Sequence, residues 1–147
     1  MKITEALLAE HVVFHNIFDH IERVVPKLKT LSEVVGWAEL MESLLQAHSK
    51  TEEDLVFAPL NHYLEQLGQS DSFEHEHREI DVSLVRVKSA KRVPEARRLL
   101  LQAVAASRLH FDREERVVFP LAEQVMKGDT LEELGRQWMK QRDAVPA

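Results

Sequence analysis

Apolar residues recur at steps of three and four along most of this chain. That spacing predicts helices with one buried face. Leu7, Phe14, Phe18, Ile21, Val25 and Leu28 form the first stripe. Thr4 stands where a cap belongs, and Pro26 falls inside the pattern, where it kinks or shortens the helix. A second stripe starts after Thr30 or Ser32 and comprises Trp37, Leu40, Met41, Leu44, Leu45, Leu55, Val56 and Tyr63. Pro59 predicts a bend one turn from its end. Gly68-Gln-Ser-Asp71 reads as a loop, and Asp71 and Glu74 have capping-box spacing. The third helix carries Phe73, Ile80, Leu84 and Val87 and fades in Lys88-Ser-Ala-Lys-Arg92. Pro94 suits the first turn of a fourth helix, which runs through Leu99, Leu100, Ala103, Ala106, Val117 and Leu121 to about Met126. Gly128 interrupts it. Thr130 and Glu133 open a short final helix with Leu131, Leu134 and Trp138, and residues 143–147 are expected to fray.

Four long helices with short connections predict an all-α fold, an up-down-up-down antiparallel four-helix bundle. The bundle spans about 3–127 and the short C-terminal helix about 130–142, all in one domain, 1–147. Inside this frame two segments are near copies. His48-x-x-x-Glu52-Glu53 runs into Val56-Phe57-Ala-Pro59, and His110-x-x-x-Glu114-Glu115 into Val118-Phe119-Pro120. Each is preceded by a Glu-His pair, Glu10-His11 and Glu76-His77. A helix turns about 100° per residue, so Glu52 lies about 40° from His48, and Leu55 and Met41 fall within about 20° of it. The same holds for Glu114, Val117 and Ala103 around His110. Both copies therefore place an imidazole and a carboxylate on the apolar face. Burying such groups is costly unless they are paired or bound to a metal. His11, His48, Glu52, His77, His110 and Glu114 are the ligand set of a dinuclear metal site.

Imidazole and carboxylate ligation suits Fe, Mn, Zn or Co and excludes soft-metal sites. Two carboxylates can bridge two metals, and two imidazoles can complete each. Six protein ligands leave open positions for water, O2, peroxide or NO. His15, one turn after His11, and Asp81 at the equivalent place in the third helix lie at the edge of the buried face. They are expected to contact the ligands or face solvent, with an additional donor as the alternative. Glu53 and Glu115 point sideways, His20, His62 and His75 face solvent, and Tyr63 sits on the core side in a structural role. Leu44, Phe14, Ala106 and Val117 are expected to line the site and exclude water.

Composition narrows the reading. The 147 residues include no cysteine, which excludes disulfides, Fe–S clusters, thiolate zinc and cysteine nucleophiles. The net charge is −6 with both signs interspersed, and there is no basic block to follow a phosphate backbone, so no nucleic-acid partner is expected. No apolar run approaches the ~20 residues of a membrane span, and the N-terminus lacks the apolar core of a signal peptide. The expected location is cytoplasmic. Nothing in the sequence decides whether the chain forms a homodimer.

The Glu-His pairs and the two His-x-x-x-Glu-Glu segments with their Val-Phe and proline resemble the hemerythrin-like HHE cation-binding domain, over nearly the whole chain. The tail from Thr130 to Lys140 is similar to that family's closing helix. The resemblance implies a non-haem di-iron site with an oxo or hydroxo bridge, Glu52 and Glu114 bridging, and the four His as terminal ligands. Oxygen-carrying hemerythrins instead use five His, with His-x-x-x-His on the third helix and His-x-x-x-x-Asp on the fourth. Here those segments read His77-x-x-x-Asp81 and His110-x-x-x-Glu114. The match is to the branch associated with sensing, stress response and iron handling. The function implied is binding of or reaction with O2, NO or peroxide. Turnover as a peroxidase, oxidase or NO reductase is one alternative, and a non-redox metal store or donor is another.

Overall fold

In the computed structural model, which describes residues 1–144, the chain forms seven α-helices. These are α1 (Ile3–Val24), α2 (Leu31–Glu52), α3 (Ala58–Gln66), α4 (Ser70–Ser89), α5 (Val93–Arg113), α6 (Phe119–Val125) and α7 (Gly128–Asp143). A five-residue π-turn, Glu53–Phe57, welds α2 to α3, and another, Glu114–Val118, welds α5 to α6. The four arms are thus α1, α2–α3, α4 and α5–α6, antiparallel and joined by short turns as predicted. α7 lies along α1. No helix among the described residues is long and apolar enough to cross a membrane.

The proline effects differ from a simple bend. Pro59 and Pro120 cannot donate a backbone hydrogen bond and crowd the carbonyl four residues back. The helix widens just ahead of each: Ala58 N–H bonds to the Glu53 carbonyl and Phe119 N–H to the Glu114 carbonyl. Each π-turn ends two residues before its proline, although Ala58 is an extra residue in the first copy. The proline therefore sets the register of the wide turn, and the histidine upstream does not. At Pro26 the helix does stop, giving way to a 3-10 turn, Val25–Lys27.

Several predicted ends move. Thr30 caps α2, its hydroxyl accepting from Glu33 N–H and the Glu33 carboxylate accepting from Thr30 N–H. Thr4 is not a cap: Lys2 is, with its N–H held by Glu5, and the buried Thr4 hydroxyl donates to Glu123. α4 starts at Ser70 after Gln69, so Asp71 and Glu74 form no box. α7 starts at Gly128, two residues before Thr130. The expected fray at 143–147 lies, from residue 145 on, outside the described residues.

The core has two apolar halves. One contains Phe14, Phe18, Ile21, Met41, Leu45, Ile80, Leu84, Leu100 and Phe111. The other contains Ile3, Leu7, Leu55, Val56, Leu60, Phe73, Val118, Phe119 and Leu131. Between them lie the buried His11, His48, Glu52, His110 and Glu114. Leu40, Leu44 and Tyr63, predicted for the α2–α3 stripe, are exposed. Each precedes by one residue, about 100° round the helix, the residue that is buried there: Met41, Leu45 and Leu64.

Buried Gly135 of α7 rests on the chain start. A Cβ there would overlap the Met1 carbonyl oxygen. Gly135→Ala is expected to push α7 off α1 and to lower stability by roughly 1–3 kcal/mol, the range for overpacking, read from urea unfolding.

Candidate metal centre

Each of the four arms contributes one imidazole, and the α2–α3 and α5–α6 arms add one carboxylate each. Two sets of donor atoms result: His11, His48, Glu52 and Glu114, and Glu52, His77, His110 and Glu114, with the atoms of each set all within 4.8 Å of one another. Both carboxylates belong to both sets. His11 Nε2 lies 3.1 Å from His48 Nε2 and 3.3 Å from Glu114 Oε1. His48 Nε2 lies 3.3 Å from Glu52 Oε2, and His110 Nε2 lies 3.2 Å from Glu114 Oε2. His77 Nε2 is 4.0 Å from Glu52 Oε1, with its ring edge-on to His110.

The far sides of three rings are fixed. His48 Nδ1 donates to Glu10 Oε1 at 2.8 Å, His110 Nδ1 to Glu76 Oε1 at 3.0 Å, and His11 Nδ1 to Glu115 Oε2 at 3.1 Å. An ionised carboxylate only accepts, so each Nδ1 carries a proton and Nε2 faces the centre. Were both rings neutral, His11 and His48 would aim two lone pairs at each other across 3.1 Å. Only a proton or another cation makes that arrangement favourable. His77 is a quarter exposed.

The inner atoms are orphaned. Both oxygens of Glu52 and of Glu114, and Nε2 of His77 and His110, are buried without a hydrogen-bond partner. Such groups normally find partners. Six of them converging on two points fit cations bound by imidazole nitrogen and carboxylate oxygen, and the donor set matches Fe, Mn, Zn or Co.

Charges follow from this crowding. Burial opposes ionisation of His11 and His48, but the Glu52 and Glu114 carboxylates, with Glu10 for His48, outweigh it and raise them to about 9 and about 10. Glu114 is held above the ordinary carboxylate range by burial and the Glu52 charge. Glu52 goes the other way despite its burial, because His48 and His11 stabilise its charge. The two imidazoles and two carboxylates thus share protons when no metal is bound. Burial and the neighbouring His110 lower His77.

The other candidates lie elsewhere. His15 is half-buried, and its Nδ1 accepts from Arg108, whose guanidinium also binds Asp19 and Glu22. Asp81, His20 and His62 are exposed, and His75 faces solvent near Glu79. Glu115 holds the His11 ring, whereas Glu53 is exposed. Phe14 packs edge-on against His48, Ala106 and Val117 are half-buried, and Leu44 lies outside on a groove. Sequence reasoning missed the acceptor roles of Glu10 and Glu76 and the part played by Phe111, which stacks on His11 at 3.9 Å with the rings 9° apart. The repeated Glu-His pair was the available signal. A residue one before a buried His stands about 100° round the helix, close enough to the neighbouring arm to reach its ring.

The family model described as the hemerythrin HHE cation-binding domain matches residues 2–122. No curated protein and no solved structure is significantly similar to the chain.

Proposed function

The chain belongs to the hemerythrin HHE cation-binding family, and on that premise we propose a non-haem dinuclear iron protein that binds or reacts with O2, NO or peroxide. The observation that carries the reading is the convergence of six orphaned, buried ligand atoms on two overlapping donor sets. Glu52 and Glu114 would serve both metals, His11 and His48 one of them, and His77 and His110 the other. Bound iron would supply electrons and open positions for a small ligand. The chain's own residues do the rest. Glu10, Glu76 and Glu115 hold three imidazole rings with Nε2 inward. Phe111, Phe14 and Phe119 wall the His11 side and keep water from it. Metal storage or donation without redox chemistry, and enzymatic turnover with an external reductant, are the readings that the same experiment separates.

That experiment is to strip the protein of metal, load it anaerobically with Fe(II), count the iron, and admit air. About two irons per chain and new near-ultraviolet charge-transfer absorption are expected. Two irons without a spectral response leave a metal store, and no iron uptake overturns the proposal. Loading is also expected to release protons at neutral pH. Metal takes the unprotonated imidazole and the ionised carboxylate, whereas His11, His48 and Glu114 are shifted upward and hold protons in the metal-free protein. Affinity should therefore rise with pH and fall with acidification. An indicator dye in weak buffer, with titrations across the neutral range, checks both signs; proton uptake on loading contradicts them.

A further inference from the structure

The duplicated ligand segments differ at one position that the structure makes informative. His110 is followed three residues later by Arg113, and His48 by Thr51. Arg113 Nη1 binds Glu76 Oε2 at 2.6 Å, and Glu76 Oε1 holds His110 Nδ1. That carboxylate is fixed from within the bundle: the same guanidinium reaches Gln69 and Ser72 and stacks over the Phe73 ring. Thr51 has no charge to offer Glu10. The gap is filled from α7, which lies beyond the 2–122 match to the family. Arg142 clamps Glu10 with a two-pronged fork, Nε to Oε2 at 2.6 Å and Nη2 to Oε1 at 2.8 Å. Its Nη1 donates to the Thr51 hydroxyl at 2.9 Å, at the place where the second copy carries its arginine. Trp138 Nε1 adds a bond to Glu10 Oε2 at 2.9 Å. Glu10 Oε1 then holds His48 Nδ1 at 2.8 Å.

We infer that α7 completes one of the two metal positions: Arg142 and Trp138 fix Glu10, and Glu10 fixes the His48 ring, while the other position is completed inside the bundle by Arg113 and Glu76. Arg142 and Trp138 are positioning residues and touch no metal. A carboxylate behind a ligating imidazole sets its tautomer and orientation, and losing such a partner typically weakens metal binding about 10–100-fold. A two-pronged arginine fork fixes carboxylate orientation better than a single ammonium does. The terminal helix thereby governs the His11/His48 position selectively, and whatever displaces α7 would loosen one metal and spare the other.

This inference rests on the dinuclear reading above. The test uses the full chain and anaerobic Co(II), whose visible absorption reports its coordination. His77→Ala leaves the His11/His48 position to be titrated alone, and His48→Ala leaves the other. Arg142→Ala and Trp138→Phe, which keeps the ring packing, are added to each background, with thermal unfolding of every metal-free variant. Expected is at least about tenfold weaker Co(II) binding and an altered spectrum in the His77→Ala background. Binding should be unchanged in the His48→Ala background, and Arg142→Lys should restore part of it. Arg113→Ala should show the reverse preference. Unchanged binding in both backgrounds overturns the inference. So does equal weakening of both positions alongside a lowered metal-free melting temperature, which would make α7 merely structural. If Arg142→Ala does not fold, Trp138→Phe decides alone, and no effect on either position overturns the inference. Failure of the unsubstituted protein to bind two Co(II) would remove the dinuclear reading itself, a result distinct from these.

Discussion

Glu114→Leu is expected to abolish metal binding at both positions while leaving the metal-free protein as stable as before, or more so. Glu114 contributes an oxygen to each donor set, so no single imidazole loss matches it. Its carboxyl group is fully buried with both oxygens orphaned. Burial and the Glu52 charge hold this carboxyl above the carboxylate range, so replacing it with an apolar side chain of similar size removes a buried polar group without a partner and leaves no large cavity. The unsubstituted protein should gain stability with metal, by about 2.7 kcal/mol for each position whose Kd the free metal exceeds a hundredfold. The variant should gain nothing. His48→Ala should keep one metal, that of His77 and His110. His75→Ala should keep both, because its side chain is 65% exposed and faces Glu79. Metal content after desalting, with urea unfolding in the presence and absence of Fe(II), reads all three. Two metals retained by Glu114→Leu would refute the shared-carboxylate arrangement.

The grouping of His11, His48, Glu52, His77, His110 and Glu114 was legible because helical periodicity is a strong signal and the chain states it twice. Ionisable groups on an apolar face are costly to bury, and placing them there at matching angles in both copies points to a shared ligand. The structure brings the six residues together. What lay outside sequence reasoning has separate physical causes. Leu44 and Tyr63 each stand one residue, about 100° of helix, before a buried leucine, Leu45 and Leu64, and both are exposed. The π-turns shift every later residue around the axis, and only the prolines at 59 and 120 hint at them. Glu10, Glu76 and Arg142 act across helices, where the relevant quantity is a distance between arms that periodicity does not contain. Phe111 was passed over because it follows His110 and stands about 100° from it. That angle leads to α1 and not to solvent, since Phe111 packs on His11, Phe14 and Phe18.

That packing makes Phe111→Ala the substitution expected to cost the most stability, about 3–5 kcal/mol as for other buried Phe→Ala changes. The typical total for a domain is only about 5–15 kcal/mol. Phe111 is 1% exposed. Its ring centroid lies 5.5 Å from Phe14, 5.9 Å from Phe18 and 5.5 Å from His48, besides the stack on His11. Its loss opens a void that rigid helices on both sides cannot close. It also frees the His11 ring to tilt, held then by the Glu115 hydrogen bond and its contact with the Phe119 ring, and opens a path for water beside His48. Metal affinity at the His11/His48 position should fall with stability, and that of the His77/His110 position much less. Leu84→Ala is the control. Leu84 is equally buried in the same apolar half, and its loss should cost about 2–5 kcal/mol. It makes no aromatic contact with a ligand ring, so metal binding at both positions should survive. If the two variants lose stability and metal in the same proportion, Phe111 is only core filling. A selective loss at His11 and His48 means that this ring keeps one imidazole pair aimed, because stacking on His11 restrains the one ring angle that the Glu115 hydrogen bond leaves free.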